Sequence, residues 1–186
     1  QQRNEILDSV GLQDQIDGMR QSSFTDLVHA YVPPGSLEEQ WNLSGLEQVL
    51  ADDWSVAVNL RGMLEVNEHT SEEDVLQKVL DETNAAFRAK MEQVDPEHFL
   101  YFERAVLLQS LDTHWREHLS ALDYLRQGIH LRSYAQRQPK EEYKREAFEL
   151  FGQMLDAVKN DVTRTLMNVR IESPEQLDEA ANAFEE

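Results

Sequence analysis

The chain has 186 residues, 40% of them hydrophobic, a formal net charge of −19 and no cysteine. That length can bury a core as one domain or two small ones, and the missing cysteines exclude disulfides, thiolate nucleophiles and Cys-based zinc sites, as fits a cytoplasmic setting. No run approaches the roughly 18 uncharged apolar residues of a membrane span, and no apolar signal core follows Gln1-Gln2-Arg3-Asn4-Glu5, so a soluble chain is expected.

The charge is unevenly distributed. Between Arg126 and Arg145 six basic residues (Arg126, Arg132, Arg137, Lys140, Lys144, Arg145) face only Glu141 and Glu142, a local charge of +4 that leaves −23 on the remainder. So acidic a body is a poor match for nucleic acid, and an anionic partner would have to meet the basic stretch alone. The chain opens without Met and as though inside a helix, so it is expected to be a fragment of a longer protein.

In chain order, residues up to about Ser9 read as the end of a helix, with Gly11 as its stop. A weaker helix follows, with Leu12, Ile16, Met19, Phe24, Leu27, Val28 and Tyr31 at roughly helical spacing, and Pro33-Pro34-Gly35 ends it. Ser36-Leu37-Glu38-Glu39 and Ser44-Gly45-Leu46-Glu47 read as capping signals for two short helical pieces, the first ending near Trp41 and the second burying Leu46, Val49 and Leu50. From Trp54 to Val66 the residues alternate as a strand would at Trp54, Val56 and Val58, but a lone strand leaves its edges unpaired, so the segment is assigned to loop. Ser71-Glu72-Glu73-Asp74 starts a helix to about Gln93, with Val75, Leu76, Val79, Leu80, Phe87 and Met91 on one stripe and acids beside the positive end of the helix dipole.

Asp95-Pro96-Glu97 then opens a long helix in which Leu108, Leu111, Trp115, His118, Leu122 and Leu125 step by three and four, the seam of a helix packed lengthwise on another. Gly128 is expected to end it. Pro139 suits the first position of a second helix, since its missing N–H would be unpaired there, and Gln138 becomes a weak N-cap. The second run carries Tyr143, Ala147, Phe151, Met154, Val158, Val162, Leu166 and Val169. Each helix reaches roughly 45 Å at about 1.5 Å per residue, so the two can lie antiparallel throughout. Ile129, Leu131 and Tyr134 then fall in a basic tip with little local core to enter. The tip either tucks onto the helical lobe or forms a contact surface, and from the residues alone both readings stand. From Glu172 to Glu186 there are six acids, no bases and few large apolar residues, composition expected of a disordered tail or helical linker. The fold class is all-α: a long antiparallel two-helix hairpin plus a small irregular helical lobe.

For chemistry, His114-Trp115-Arg116-Glu117-His118 matches H-x-x-E-H, in which two His on one helix turn bind zinc and Glu activates water. A zinc hydrolase would also need a third ligand at an open coordination position. The sequence offers no motif for one, and His118 falls at a seam position where an imidazole serves packing. There is no G-x-x-x-x-G-K-[S/T] phosphate loop and no G-x-S-x-G elbow. A third reading, from the basic tip, is a helical dock for anionic membrane surfaces or protein partners.

Leu111-Asp112, Trp115, Glu117-His118-Leu119, Asp123-Tyr124-Leu125-Arg126-Gln127-Gly128-Ile129-His130-Leu131-Arg132, Tyr134-Ala135-Gln136, Pro139 and Glu142-Tyr143-Lys144-Arg145-Glu146 resemble the SecA family of bacterial preprotein-export motors. Upstream, Arg3-Asn4-Glu5-Ile6-Leu7 and Tyr31-Val32-Pro33-Pro34-Gly35-Ser36-Leu37-Glu38-Glu39-Gln40-Trp41 resemble the same family in the same order, so the likeness spans about residues 1 to 171. The resemblance implies four parts: 1–11, the end of a long scaffold helix; 12–95, a helical wing domain; 96–171, scaffold helices forming a two-helix finger; and 172–186, an acidic tail or linker. It implies a non-catalytic module, with ATP and Mg²⁺ bound in motor domains upstream and no cofactor or metal here. The implied partners are the SecYEG channel, unfolded preprotein and the motor domains of the same chain, whose ATPase the helices restrain. An acidic phospholipid surface is a further candidate and nucleic acid is not. The implied location is the cytoplasm, at the inner face of the bacterial plasma membrane. In the family a loop Tyr matching Tyr134 touches the translocating chain, and Ile129, Leu131, Arg132 and Arg137 are expected to shape the tip around it. The sequence departs from the family at Gln138, commonly Asp, and at Ser133, often Gly. His114 stands where the family requires no His, and the family's Cys-containing zinc tail is not present.

Overall fold

The computed structural model describes residues 9–132, 138–170 and 174–185, and among them the architecture is all-α, with no strand. The helices are α1 (Ser9–Tyr31), α2 (Leu43–Trp54), α3 (Arg61–Val66), α4 (Glu72–Met91), α5 (Pro96–Arg132), α6 (Pro139–Asn168) and α7 (Pro174–Glu185), with a 3₁₀ turn at Glu38–Gln40. The first residues of the expected finger are therefore helical, and α5 and α6 form the anticipated pair.

The expected break at Gly11 is absent: α1 runs through Gly11 and Gly18, and neither adopts a positive φ. Leu12 and Ile16 are buried in the same core as Phe24 and Val28, and that burial outweighs the ~1 kcal/mol a helical glycine costs relative to alanine. The helix does end at the Pro-Pro-Gly, where Gly35 takes φ 74° and lets the Ser36 N–H reach the Pro33 carbonyl at 3.1 Å.

The short elements form for reasons other than the serine caps. Ser36 donates its hydroxyl to the Pro33 carbonyl and accepts the Trp41 indole N–H at 2.9 Å. Helix α2 is capped by Asn42, whose Oδ1 accepts the Gly45 N–H at 2.9 Å, so Ser44 lies inside the helix. An added Cβ at Gly45 would lie 2.5 Å from the Asn42 side chain, so glycine makes room for the cap. Asn59 repeats the device on the Gly62 N–H at 3.0 Å.

The segment assigned to loop has no regular secondary structure from Ser55 to Leu60 and is then helical in α3. Val56, Val58 and Leu60 are buried while Ala57 and Asn59 are exposed, so the alternation is real although no strand pairs with it. Glu47 replaces the missing ladder by accepting the Leu60 and Arg61 N–H groups, both at 2.9 Å, and the Arg61 guanidinium at 3.0 Å. Burial opposes its ionised form, but those hydrogen bonds and the Arg61 charge hold its carboxyl below the ordinary value.

Helix α4 begins as expected, with Ser71 and Asp74 bonding each other's backbone N–H reciprocally, and it buries Val75, Val79, Thr83 and Phe87 at steps of four. Helix α1 is the centre of the lobe, packed against α2, α4 and α6. Phe24 meets Trp54 at 5.0 Å between ring centroids, and Phe87 meets Phe99 at 5.7 Å. Lys159 of α6 reaches Asp26 of α1 at 2.5 Å, and Lys90 of α4 donates to the Met167 carbonyl, satisfying the C-terminal end of α6.

The acidic tail is ordered in its described part. Leu177, Ala181 and Phe184 recur on one face of α7, Leu177 and Ala181 are buried, and Phe184 stacks obliquely on Phe102 at 6.2 Å. Asp178 pairs with His98 at 2.9 Å, and Tyr101 donates to Asn182 at 3.1 Å. Composition alone left a disordered tail and a helical linker both open, and the described part is helical. The spacing of three apolar residues on one face, rather than their number, docks it on α5.

Candidate functional site

The candidate site is the outer half of the α5–α6 hairpin. The common core takes side chains from α5 up to Leu107 and from α6 inward of Val158. Leu111 still packs against that core, and further out Leu125, Ile129 and Met154 are buried outside it. At about 1.5 Å per residue, α5 extends roughly 30 Å from Leu111 to Arg132.

Five of the six expected α5 seam residues, Leu108, Leu111, His118, Leu122 and Leu125, are buried or half-buried. Buried or half-buried positions run through Ser110, His114, His118, Ala121, Leu125 and Ile129, facing Leu150, Met154 and Ala157 of α6. Trp115, expected in the seam, is 48% exposed, and Phe151 is 40% exposed. His118 is buried as expected, its ring 5.4 Å from Trp115 and 5.9 Å from Phe151, and its Nδ1 has no hydrogen-bond partner. His114 points elsewhere. Its Nε2 lies 3.2 Å from Asp161 Oδ2 and its Nδ1 3.4 Å from Glu117, while Ser110 Oγ donates to the same Asp161 oxygen at 2.9 Å. The two histidines of the H-x-x-E-H match thus serve different neighbours, one polar and one aromatic. Among the described residues no group of three or more His, Asp and Glu side chains is placed to hold a metal ion.

Trp115 and Phe151, both expected inside the seam, belong instead to an exposed apolar surface. Trp115 and Leu119 on α5, with Phe148, Phe151 and Leu155 on α6, are all exposed, and His118 bridges the two stripes. The available signal was the breadth of the pattern: Trp115-Leu119 and Phe148-Phe151-Leu155 add apolar positions beyond a narrow two-per-heptad seam.

Near the tip, Gly128 does not stop α5, which continues to Arg132. Gly128 has no atoms within 4 Å of an added Cβ, and the following Ile129 is only 6% exposed, so the helix is carried past the glycine by burial of its neighbour. Ile129 was expected to lack a core and instead has one. Leu131, a turn end later, is 77% exposed. Arg132 closes α5, while Tyr134 and Arg137 lie outside the described residues. Gln138 is the N-cap of α6 and makes no side-chain cap bond, with Pro139 at the first helical position, as expected. Among the described residues no helix is long and apolar enough to cross a membrane.

The architecture defines a class: all-α modules in which a packed helical lobe carries a projecting two-helix hairpin. A family model described as the SecA wing and scaffold domain matches residues 1–170, and the chain belongs to that family. It is 60% identical over 181 residues to the protein translocase subunit SecA of Polaromonas sp., covering 97% of this chain and 20% of that protein. It is also 59% identical over 185 residues to the SecA subunit of Variovorax paradoxus and 58% over 185 residues to that of Paracidovorax citrulli, covering 100% of this chain and 20% of each of those proteins. The chain therefore spans about a fifth of the length of the curated relatives it matches.

Proposed function

We propose that this chain is the non-catalytic wing and scaffold module of an ATP-driven protein-translocation motor, in which the hairpin passes the motion of motor domains to a SecY-type channel and to unfolded preprotein. The supporting observation is the hairpin itself, two helices braced on a shared core at one end and projecting roughly 30 Å beyond it. A rod fixed at its base transmits displacement to its tip, a task that needs neither nucleophile nor base. Tyr134 is the proposed contact for the moving chain, and Ile129, Leu131, Arg132 and Arg137 are proposed to shape the tip. An aromatic ring suits substrates that share only a backbone and intermittent side chains. ATP and Mg²⁺ would be held by motor domains of the longer protein, and the basic tip would face the acidic lipid surface at the channel mouth.

A photo-crosslinker at position 134 of the full-length protein tests this during transport. Crosslinks to preprotein and channel are expected, and crosslinks only within its own wing domain would overturn the contact. Tyr134→Ala should cut translocation and leave basal ATP hydrolysis near normal; unchanged translocation removes Tyr134 from the mechanism.

A further inference from the structure

At the base of the hairpin, where α5 leaves the lobe, Glu103 is fully buried at 0% exposure. Gln13 of α1 donates its Nε2–H to Glu103 Oε1 at 2.9 Å. The other oxygen, Oε2, is buried without a hydrogen-bond partner. An ionised carboxylate can accept several hydrogen bonds and receives one here, so the site is built for the neutral form better than for the charged one.

The surrounding charges do not rescue the anion. From α1, Asp17 disfavours it and Arg20 favours it. Arg20, however, is turned to other partners: its Nη2 lies 2.5 Å from Asp17, its Nε donates to Asn84 of α4 at 2.9 Å, its guanidinium sits 4.0 Å from the centre of the Phe87 ring, and its buried Nη1 makes no hydrogen bond to Glu103. Arg88 of α4 lines the same cleft as Gln13 and Asp17 but is exposed. Lys159 of α6 is held by Asp26 and Asp156, and Asp178 of α7 is held by His98. Burial is the largest influence, and it pushes the Glu103 carboxyl up to about 7.

We propose that Glu103 is a one-proton latch at the α1–α5 joint, which holds the root of the hairpin against α1 when its carboxyl is neutral and loosens that contact when it ionises. A buried anion with one donor draws water toward it, and the route for water lies along the Gln13–Asp17–Arg20 side of α1. Glu103 lies one helical turn inside Leu107, the last α5 side chain of the common core, so its bond to Gln13 is made at the root of the projection.

The direction follows from the raised value. Folding takes up a proton, so the stabilising contribution is complete below the ordinary carboxyl value of 4.5 and is lost as pH rises through about 7, equivalent to roughly 300-fold tighter proton binding in the folded chain. His98 titrates with the same sign and is separated from Glu103 by working in an Asp178→Asn background.

Carboxyl ¹³C titration of the Glu-labelled 186-residue chain tests the latch, with Glu103→Gln assigning the resonance. A glutamate titrating near 7 in the parent and missing in the variant is expected, and a Glu103 resonance titrating near 4.5 overturns the proposal. If Glu103→Gln does not fold, the parent titration still decides it. Amide exchange supplies the mechanical reading: protection of Gln13 to Arg20 should drop several-fold more between pH 6 and pH 8 in the parent than in Glu103→Gln, after correction for intrinsic exchange. Equal loss in both chains would remove the coupling between the proton and the joint.

Discussion

Asp161 Oδ2 on α6 lies 3.2 Å from His114 Nε2 on α5 and accepts the Ser110 hydroxyl at 2.9 Å, so one carboxylate joins two turns of the opposite helix just outside the common core. Asp161→Ala leaves the buried Ser110 hydroxyl unpaired and should cost about 1–3 kcal/mol in urea unfolding. In combination with Ser110→Ala the loss should be smaller than the sum of the two single changes.

The root and the outer half of the hairpin should respond in opposite ways to truncation. Leu166, 1% exposed, lies in the common core, so Leu166→Ala should cost about 2–5 kcal/mol. Phe148, 78% exposed, should change stability by no more than about 0.5 kcal/mol when cut to alanine. Translocation by a full-length protein carrying Phe148→Ala then reports contact rather than folding.

Near the tip the same contrast separates two neighbours. Ile129→Ala should lower the unfolding midpoint of the chain, because its side chain is buried in the seam, whereas Leu131→Ala should leave it within about 0.5 kcal/mol. If both change stability equally, the end of α5 is not arranged as described.

Docking of α7 should weaken with rising pH. Its hydrogen bond and the negative charge of Asp178 raise the His98 value above 6.5, so the pairing contributes fully below 6.5 and is lost as pH rises through the raised value. Imidazole NMR should show His98 titrating above the ordinary range, returning toward it in Asp178→Asn. The side chain is solvent-exposed, so the effect is local to α7.

Ser71→Ala removes the acceptor for the Asp74 N–H and should cost about 1 kcal/mol, read by thermal or urea unfolding.

Much of this was legible in the residues. The α4 cap was written in Ser71-Glu72-Glu73-Asp74, the start of α6 in Gln138-Pro139, and the end of α1 in Pro33-Pro34-Gly35, because each is a local backbone requirement met by neighbouring side chains. The two Asn devices were legible too, as Asn42-Leu43-Ser44-Gly45, where Ser44 was read as the cap, and Asn59-Leu60-Arg61-Gly62, in a segment assigned to loop. The glycine stops misled: Gly11 and Gly128 are permissive rather than imperative, and burial of Leu12 and Ile129 decides that the helices continue.

The sequence by itself determined the helix pair, its approximate limits, the family and the polar character of the tip, since these follow from spacing, capping and motif. Tertiary structure decided what each helix turned toward its partner. It leaves Trp115 and Phe151 at the surface, docks α7 through three residues on one face, and seals Glu103 beneath Gln13. A periodicity of 3.6 residues specifies a stripe but not its centre to within one side chain; that choice is made by the packing of whole helices, whose competing contacts lie far apart in the chain.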